Sequence, residues 1–258
     1  MKTDWLLAVG CSLTWGSEIT QFGESLLEDK TLAWPAHLGK LLNVSQLTNR
    51  GWPGRSNGSI FRIAMEEMAS HAANYGTDGM VVIQWSGPAR LEIVNPYEIN
   101  IRSLYRQKYH PGQEPGPYHS FTPMEVSDKN IQNKFPHLAD YFFRHWTHDF
   151  YQLELLVNYS VALTSVANSL GIKILQFNGI DELNFDILPP HSQDISGLIG
   201  KEYYRPFDRS SAFWPASCHF PRDNIFNIVP RHPTAEQHEK WANILYNYML
   251  EIQSARLE

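Results

Sequence analysis

A serine at a glycine-rich break and a histidine ahead of a proline are the residues of this chain with most to offer chemically. Ser12 lies in Gly10-Cys11-Ser12-Leu13-Thr14-Trp15-Gly16, directly after an apolar run from Trp5 to Val9. His232 lies in Pro230-Arg231-His232-Pro233-Thr234-Ala235-Glu236-Gln237-His238, just before a helical pattern. Acyl transfer needs a nucleophile, a base to take its proton, and N–H donors aimed at the developing oxyanion. Ser12 is the candidate nucleophile and His232 the candidate base. The backbone N–H groups of Ser12 and of Gly54, in a second glycine-rich turn, are the candidate oxyanion donors. A plainer reading stands beside each: Ser12 as a helix N-cap, His232 as a surface loop histidine, and His238 as a helix-surface or packing residue.

These groups need elements that carry them to one place. Leu6, Leu7, Ala8 and Val9 are continuous rather than alternating, as in a strand covered on both faces. The end of such a strand in an open α/β sheet is where ligands collect. Residues 19–30 read as a polar loop, and 33–42 as a helix with Pro35 in its first turn. Residues 45–48 read as a second strand, and 49–59, rich in Gly, Pro and Asn, as a turn without regular structure. A helix over 59–75 and a buried strand over 79–85 follow. Residues 89–148 lack clear periodicity and read as a functional insertion. A helix over 149–170, ended by Gly171, leads to a strand over 172–177. A long loop over 179–223, a fifth strand over 225–229 and a final helix over 234–252 complete the chain. Thr234 and Gln237 match a capping box that would hold His232 outside that helix. The alternation predicts a three-layer α/β/α sandwich around a mostly parallel five-stranded sheet, in a single domain over 1–258.

Composition narrows the function class. The 258 residues are 43% hydrophobic and 19% charged, with a net charge of −6. No general basic stripe for nucleic acid is expected. The two cysteines, Cys11 and Cys218, are too few for a disulfide framework and lack metal-ligand spacing. They suit free thiols in a reducing cytoplasmic setting. The apolar amino-terminal run is too short for a signal segment and follows Asp4. No run approaches the roughly twenty apolar residues of a membrane span.

At this point the chain resembles the SGNH hydrolase superfamily, the GDSL esterases and lipases. Gly10-Cys11-Ser12-Leu13-Thr14-Trp15-Gly16 matches the family's first block, with cysteine in place of aspartate. Asn49, Gly51 and Gly54 match the second block, and His232-Pro233 the last. The variant pattern, with Trp-Pro-Ala, Gly-Arg-Ser-Asn and Val-Val-Ile-Gln-Trp-Ser, is similar to SGNH-like proteins of bacteriophage genomes. The third block departs: Trp85-Ser86-Gly87-Pro88-Ala89-Arg90 has no asparagine. Ser86, Asn57 and Arg90 are the candidates to replace that oxyanion donor. The family's acid stands three residues before the histidine, where this chain has Val229. Asp181, Asp208 and Asp223, a backbone carbonyl, or a Ser-His dyad without an acid are the alternatives.

The resemblance implies a serine esterase-like hydrolase without a cofactor, acting on a small-molecule ester or an acylated glycan, with neither nucleic acid nor membrane as partner. Trp85 and Arg90 are candidate substrate-binding residues. Two rivals compete: a non-catalytic binding or structural module on the same fold, and a metal-assisted hydrolase using the histidines of the insertion (His110, His119, His137, His145 and His148). Those histidines lack a clear ligand signature, so no metal site is expected.

Overall fold

A computed structural model describes residues 3–21, 26–87, 91–94, 118–121, 149–179 and 232–255. The elements are β1 (Trp5–Gly10), α1 (Ser12–Trp15), α2 (Asp29–Leu32), α3 (Trp34–Leu42), β2 (Gln46–Gly51), α4 (Asn57–Tyr75), β3 (Gly79–Trp85), β4 (Leu91–Val94), β5 (Tyr118–Phe121), α5 (Asp149–Leu170), β6 (Lys173–Asn178) and α6 (Ala235–Ala255). Among the described residues, four parallel strands form the main sheet in the order β2-β1-β3-β6. The fifth strand expected over 225–229 lies outside the described residues. Within the insertion, β4 and β5 pair antiparallel as a separate ladder.

The continuous apolar strands are buried on both faces because successive side chains point to opposite sides. Trp5, Leu7 and Val9 of β1, with Val81, Ile83 and Trp85 of β3, pack against Ile60, Ala64 and Met68 of α4 and Leu153, Leu156 and Val157 of α5. Leu6, Ala8, Met80 and Val82 face the other way, against Trp34 and Leu38 of α3 and Trp241 and Leu245 of α6. Enclosing each such side chain stabilises by about 1.5–3 kcal/mol, so the two layers fix the sheet between them. Close packing also dictates glycine. A Cβ on Gly79 would lie 1.8 Å from the Trp5 ring, whose Nε1–H donates to Gly76 O at 2.9 Å.

Several element boundaries differ from the sequence reading. Asn49, Arg50 and Gly51 belong to β2 because they pair with Ala8, Val9 and Gly10 of β1. Helix α4 starts at Asn57, ahead of Ser59, because the Ser56 hydroxyl caps it by accepting the Ser59 N–H. The expected loop over 19–30 contains the start of α2. Its Asp29 carboxylate is buried and accepts from Thr20 N, Thr20 Oγ1 and Leu26 N. Among the described residues no helix is long and apolar enough to cross a membrane.

Candidate active site

Chain order and strand order diverge at β1. From β1 the chain steps to β2 on one side, then crosses back to β3 on the other. In this doubly wound order the crevice at the carboxyl ends of β1 and β3 is the place for a ligand. Ser12 follows β1 there, and Ser86 follows β3. Val9 pairs with Ile83, and the same register carried onward brings Ser86 level with the Ser12 turn.

Ser12 is not the N-cap. Cys11 holds that position in extended backbone, without a side-chain cap hydrogen bond, and Ser12 is the first helical residue of α1. The Ser12 hydroxyl is therefore not consumed by capping. It is 6% exposed, and its hydrogen-bond contact among the described residues is a long one, 4.0 Å to Cys11 Sγ. The turn beneath it is rigid. Gln84, fully buried at the end of β3, accepts from Thr14 Oγ1 and donates through Nε2 to Cys11 Sγ at 3.2 Å. Asn49 Nδ2 donates to Thr14 O at 2.8 Å, while its Oδ1 accepts the Gly51 N–H. Gly51 is obligatory: a Cβ there would lie 2.3 Å from Trp15 N. Gly16, at φ 89°, turns the chain out of α1, and Gly16 N and Ser17 N both donate to Ser12 O.

That turn leads directly to a carboxylate. Glu18 Oε2 lies 3.0 Å from His232 Nδ1 and also accepts the His232 backbone N–H at 3.3 Å. The contact joins residues 214 positions apart. Both side chains are mostly enclosed, at 17% and 25% exposure. A carboxylate on Nδ1 places the ring proton there and leaves Nε2 as the basic nitrogen. Thr234 and Gln237 make the expected reciprocal bonds, so His232 is held outside α6. His238, on α6, is a packing residue: its ring is fully buried and its Nδ1 accepts the Trp34 N–H at 3.1 Å. Burial, with lesser repulsion from His37 and His232, lowers its pKa to about 3, so it is neutral at physiological pH.

The donor candidates fall in different environments. Gly54 has φ 75°, and open space surrounds the position a Cβ would take. Asn57 is clamped to the end of β3: its Oδ1 accepts Ser86 N at 2.7 Å and its Nδ2 donates to Ser86 O at 3.1 Å. The Ser86 hydroxyl is buried without a hydrogen-bond partner among the described residues. Trp85 is a core residue rather than a substrate contact. Its ring is fully enclosed between α4 and α5, and its Nε1–H donates to Gln176 at 3.1 Å. Parity explains this, since Trp85 shares a face with Ile83 and Val81. Arg90, Asp181, Asp208, Asp223 and Cys218 lie outside the described residues, as do His110, His137, His145 and His148.

No family model and no curated protein matches the sequence. Solved structures are similar over nearly the whole length. TesA is 14% identical, with 95% of this chain and 97% of that one covered, at a TM-score of 0.45. A member of the lipolytic protein G-D-S-L family from Veillonella parvula is 10% identical, covering 96% and 97%, at 0.42. Phospholipase A1 from Streptomyces albidoflavus is 10% identical, covering 95% and 99%, at 0.41. The chemistry rests on the side chains.

Glu18 was not among the acid candidates that the sequence suggested. The faint signal was a carboxylate just beyond a left-handed glycine in the turn that carries Ser12. Nothing in the linear spacing connects it to His232. Gln84 was read as a strand residue, and its support of the Ser12 turn appears only once β3 lies beside β1.

Proposed function

We propose that this protein is a serine hydrolase of acyl esters, with Ser12 as nucleophile, His232 as general base and Glu18 as the carboxylate that orients the base. The Glu18–His232 contact carries this reading. It explains why an imidazole would be held at the Ser12 turn with Nδ1 protonated and Nε2 as the basic nitrogen. In the reaction, Ser12 Oγ attacks the ester carbonyl carbon and His232 Nε2 takes its proton. The oxyanion is received by the N–H groups of Ser12 and Gly54. The imidazolium then protonates the leaving alcohol, and a water activated by His232 releases the acid and frees Ser12. The sequence requires the Ser12 hydroxyl to leave Cys11 Sγ and meet Nε2, since no Ser12–His232 hydrogen bond is formed in the resting structure. Catalytic hydrogen bonds commonly tighten only when substrate is bound.

The absence of that bond favours a second reading, a binding module whose serine is idle. Labelling with a fluorophosphonate, alongside hydrolysis of short-chain p-nitrophenyl esters, separates the two. Labelling at Ser12, and loss of turnover by at least about 10³-fold in Ser12→Ala and His232→Ala, is expected for the hydrolase. Equal turnover by all three proteins refutes the serine mechanism. Lack of both labelling and turnover leaves the binding module standing.

A further inference from the structure

We infer that Gln84 is a positioning residue for Ser12: its buried amide ties the residue before the serine, Cys11, and the residue two beyond it, Thr14, to the carboxyl end of β3, and so sets where the hydroxyl is presented. What the hydroxyl does there rests on the hydrolase reading; the tether itself does not.

Gln84 is fully buried, and its neighbours along β3, Val82, Ile83 and Trp85, are apolar. An amide enclosed among them is costly unless its hydrogen bonds are made. Those of Gln84 lead to the Ser12 turn and to the adjoining strand ends. Its Oε1 accepts from Thr14 Oγ1. Its Nε2 donates to Cys11 Sγ at 3.2 Å and, at the longer distance of 3.4 Å, to Trp85 O. Trp85 O also accepts the N–H of Gly179, just past β6, at 2.9 Å. That carbonyl decides which way the amide faces. Reversed, Gln84 would set its own oxygen against the Trp85 oxygen, two acceptors without a proton between them. With the NH2 group fixed there, Thr14 is the donor and the Cys11 sulfur the acceptor. The same sulfur lies 4.0 Å from Ser12 Oγ and accepts from it, so the tether ends beside the serine hydroxyl.

The backbone leaves room for this one side chain. A Cβ on Gly10, at the end of β1, would lie 2.1 Å from Thr14 Oγ1 and 2.9 Å from Gln84 Cβ. A Cβ on Gly179 would lie 1.8 Å from Gln84 Nε2. The ends of β1, β3 and β6 therefore meet at the amide, and the turn carrying Ser12 is registered against all three.

A packing role and a positioning role differ in what an apolar substitute does. Replacing both partners of a buried hydrogen bond by apolar groups of similar shape can leave stability almost unchanged. It still removes the directional bonds that fix the turn, and a misplacement of about 1 Å can cost about 10²-fold in rate. The test is the double variant Gln84→Met with Thr14→Val, beside Thr14→Ser, which keeps the hydroxyl. Urea midpoints, steady-state kinetics on a p-nitrophenyl ester and amide hydrogen exchange are measured on the full chain. The double variant is expected to keep a urea midpoint near that of the wild type. Its kcat should fall by about 10²-fold with KM changed by less than about threefold. Exchange over residues 10–17 should quicken by about tenfold or more, with α4 and α5 as protected as before. Thr14→Ser should recover most of the lost kcat.

Unchanged exchange over 10–17 in the double variant overturns the tether, as does an active enzyme whose kcat is unaffected. A lowered midpoint with exchange quickened equally in α4, α5 and the turn marks Gln84 as packing alone and also overturns it. Should the double variant fail to fold, Thr14→Val against Thr14→Ser makes the same comparison. If the wild type neither hydrolyses esters nor labels at Ser12, while exchange responds as expected, the hydrolase reading falls and the tether stands. Esterase activity with exchange over 10–17 indifferent to the substitutions does the reverse.

Discussion

Glu18 adopts φ 66°, a left-handed conformation that costs a non-glycine residue of order 1–3 kcal/mol. Such strain persists where the surroundings over-determine it, and here its product is the contact with His232. Glu18→Gln keeps the shape and removes the charge. It is expected to lower kcat by roughly 10²–10⁴-fold with little change in KM, and steady-state kinetics on one p-nitrophenyl ester checks both. A purely structural Glu18 would instead lower stability and leave kcat alone. Ser86 makes the opposite case. Its buried hydroxyl has no partner among the described residues, so Ser86→Ala is expected to leave stability unchanged or raise it by up to about 1 kcal/mol. If that hydroxyl turns toward the oxyanion in the transition state, kcat falls by about 10²-fold in the same variant. Urea denaturation and kinetics on a single preparation read the two effects separately.

At the scale of elements, α1 is held by its neighbours rather than by its own four residues. A helix of that length does not form alone. Gly51 of β2 lets the Trp15 backbone approach, Asn49 bonds Thr14 O, and Gln84 bonds Thr14 from β3. Gly51→Ala would set a methyl 2.3 Å from a backbone nitrogen, which cannot swing aside as a side chain can. A loss of about 2–3 kcal/mol in chemical denaturation is expected, with activity falling through displacement of the Ser12 turn. The end of β2 escaped the sequence reading for a related reason. Asn49, Arg50 and Gly51 have little strand preference. Their extended conformation comes from pairing with Ala8, Val9 and Gly10, a partnership that no local window contains.

At the scale of the molecule, α3 and α6 close one face of the sheet, and His238 joins them through Trp34 N. Its folded pKa of about 3 lies below the ordinary 6.5. Between those values the unfolded chain binds the proton and the folded chain does not. Stability is therefore complete above about pH 6.5 and is lost as pH falls toward 3, with a slope approaching 1.4 kcal/mol per pH unit from this residue, an order-of-magnitude figure. Urea midpoints measured across that range should fall with acidity. The fall should be shallower in His238→Gln, which is less stable at neutral pH. Parallel curves for the two proteins would remove His238 from the account.

Hydrophobic continuity in Trp5–Val9, 79–85 and 172–177, and helical spacing over 149–170 and in the last helix, were sufficient to place the strands and helices and to infer the layered α/β/α order. That information is local, because burial on one or both faces is written into neighbouring residues. The same reading put Ser12 at a strand end and His232 ahead of the last helix. Tertiary structure alone decided what surrounds them. It moved the cap from Ser12 to Cys11, turned Trp85 into the core, and brought Glu18 to His232 across 214 residues. A contact of that kind depends on which strand ends the topology sets side by side. The carboxylate that meets the imidazole is chosen by the fold and not by its distance along the chain.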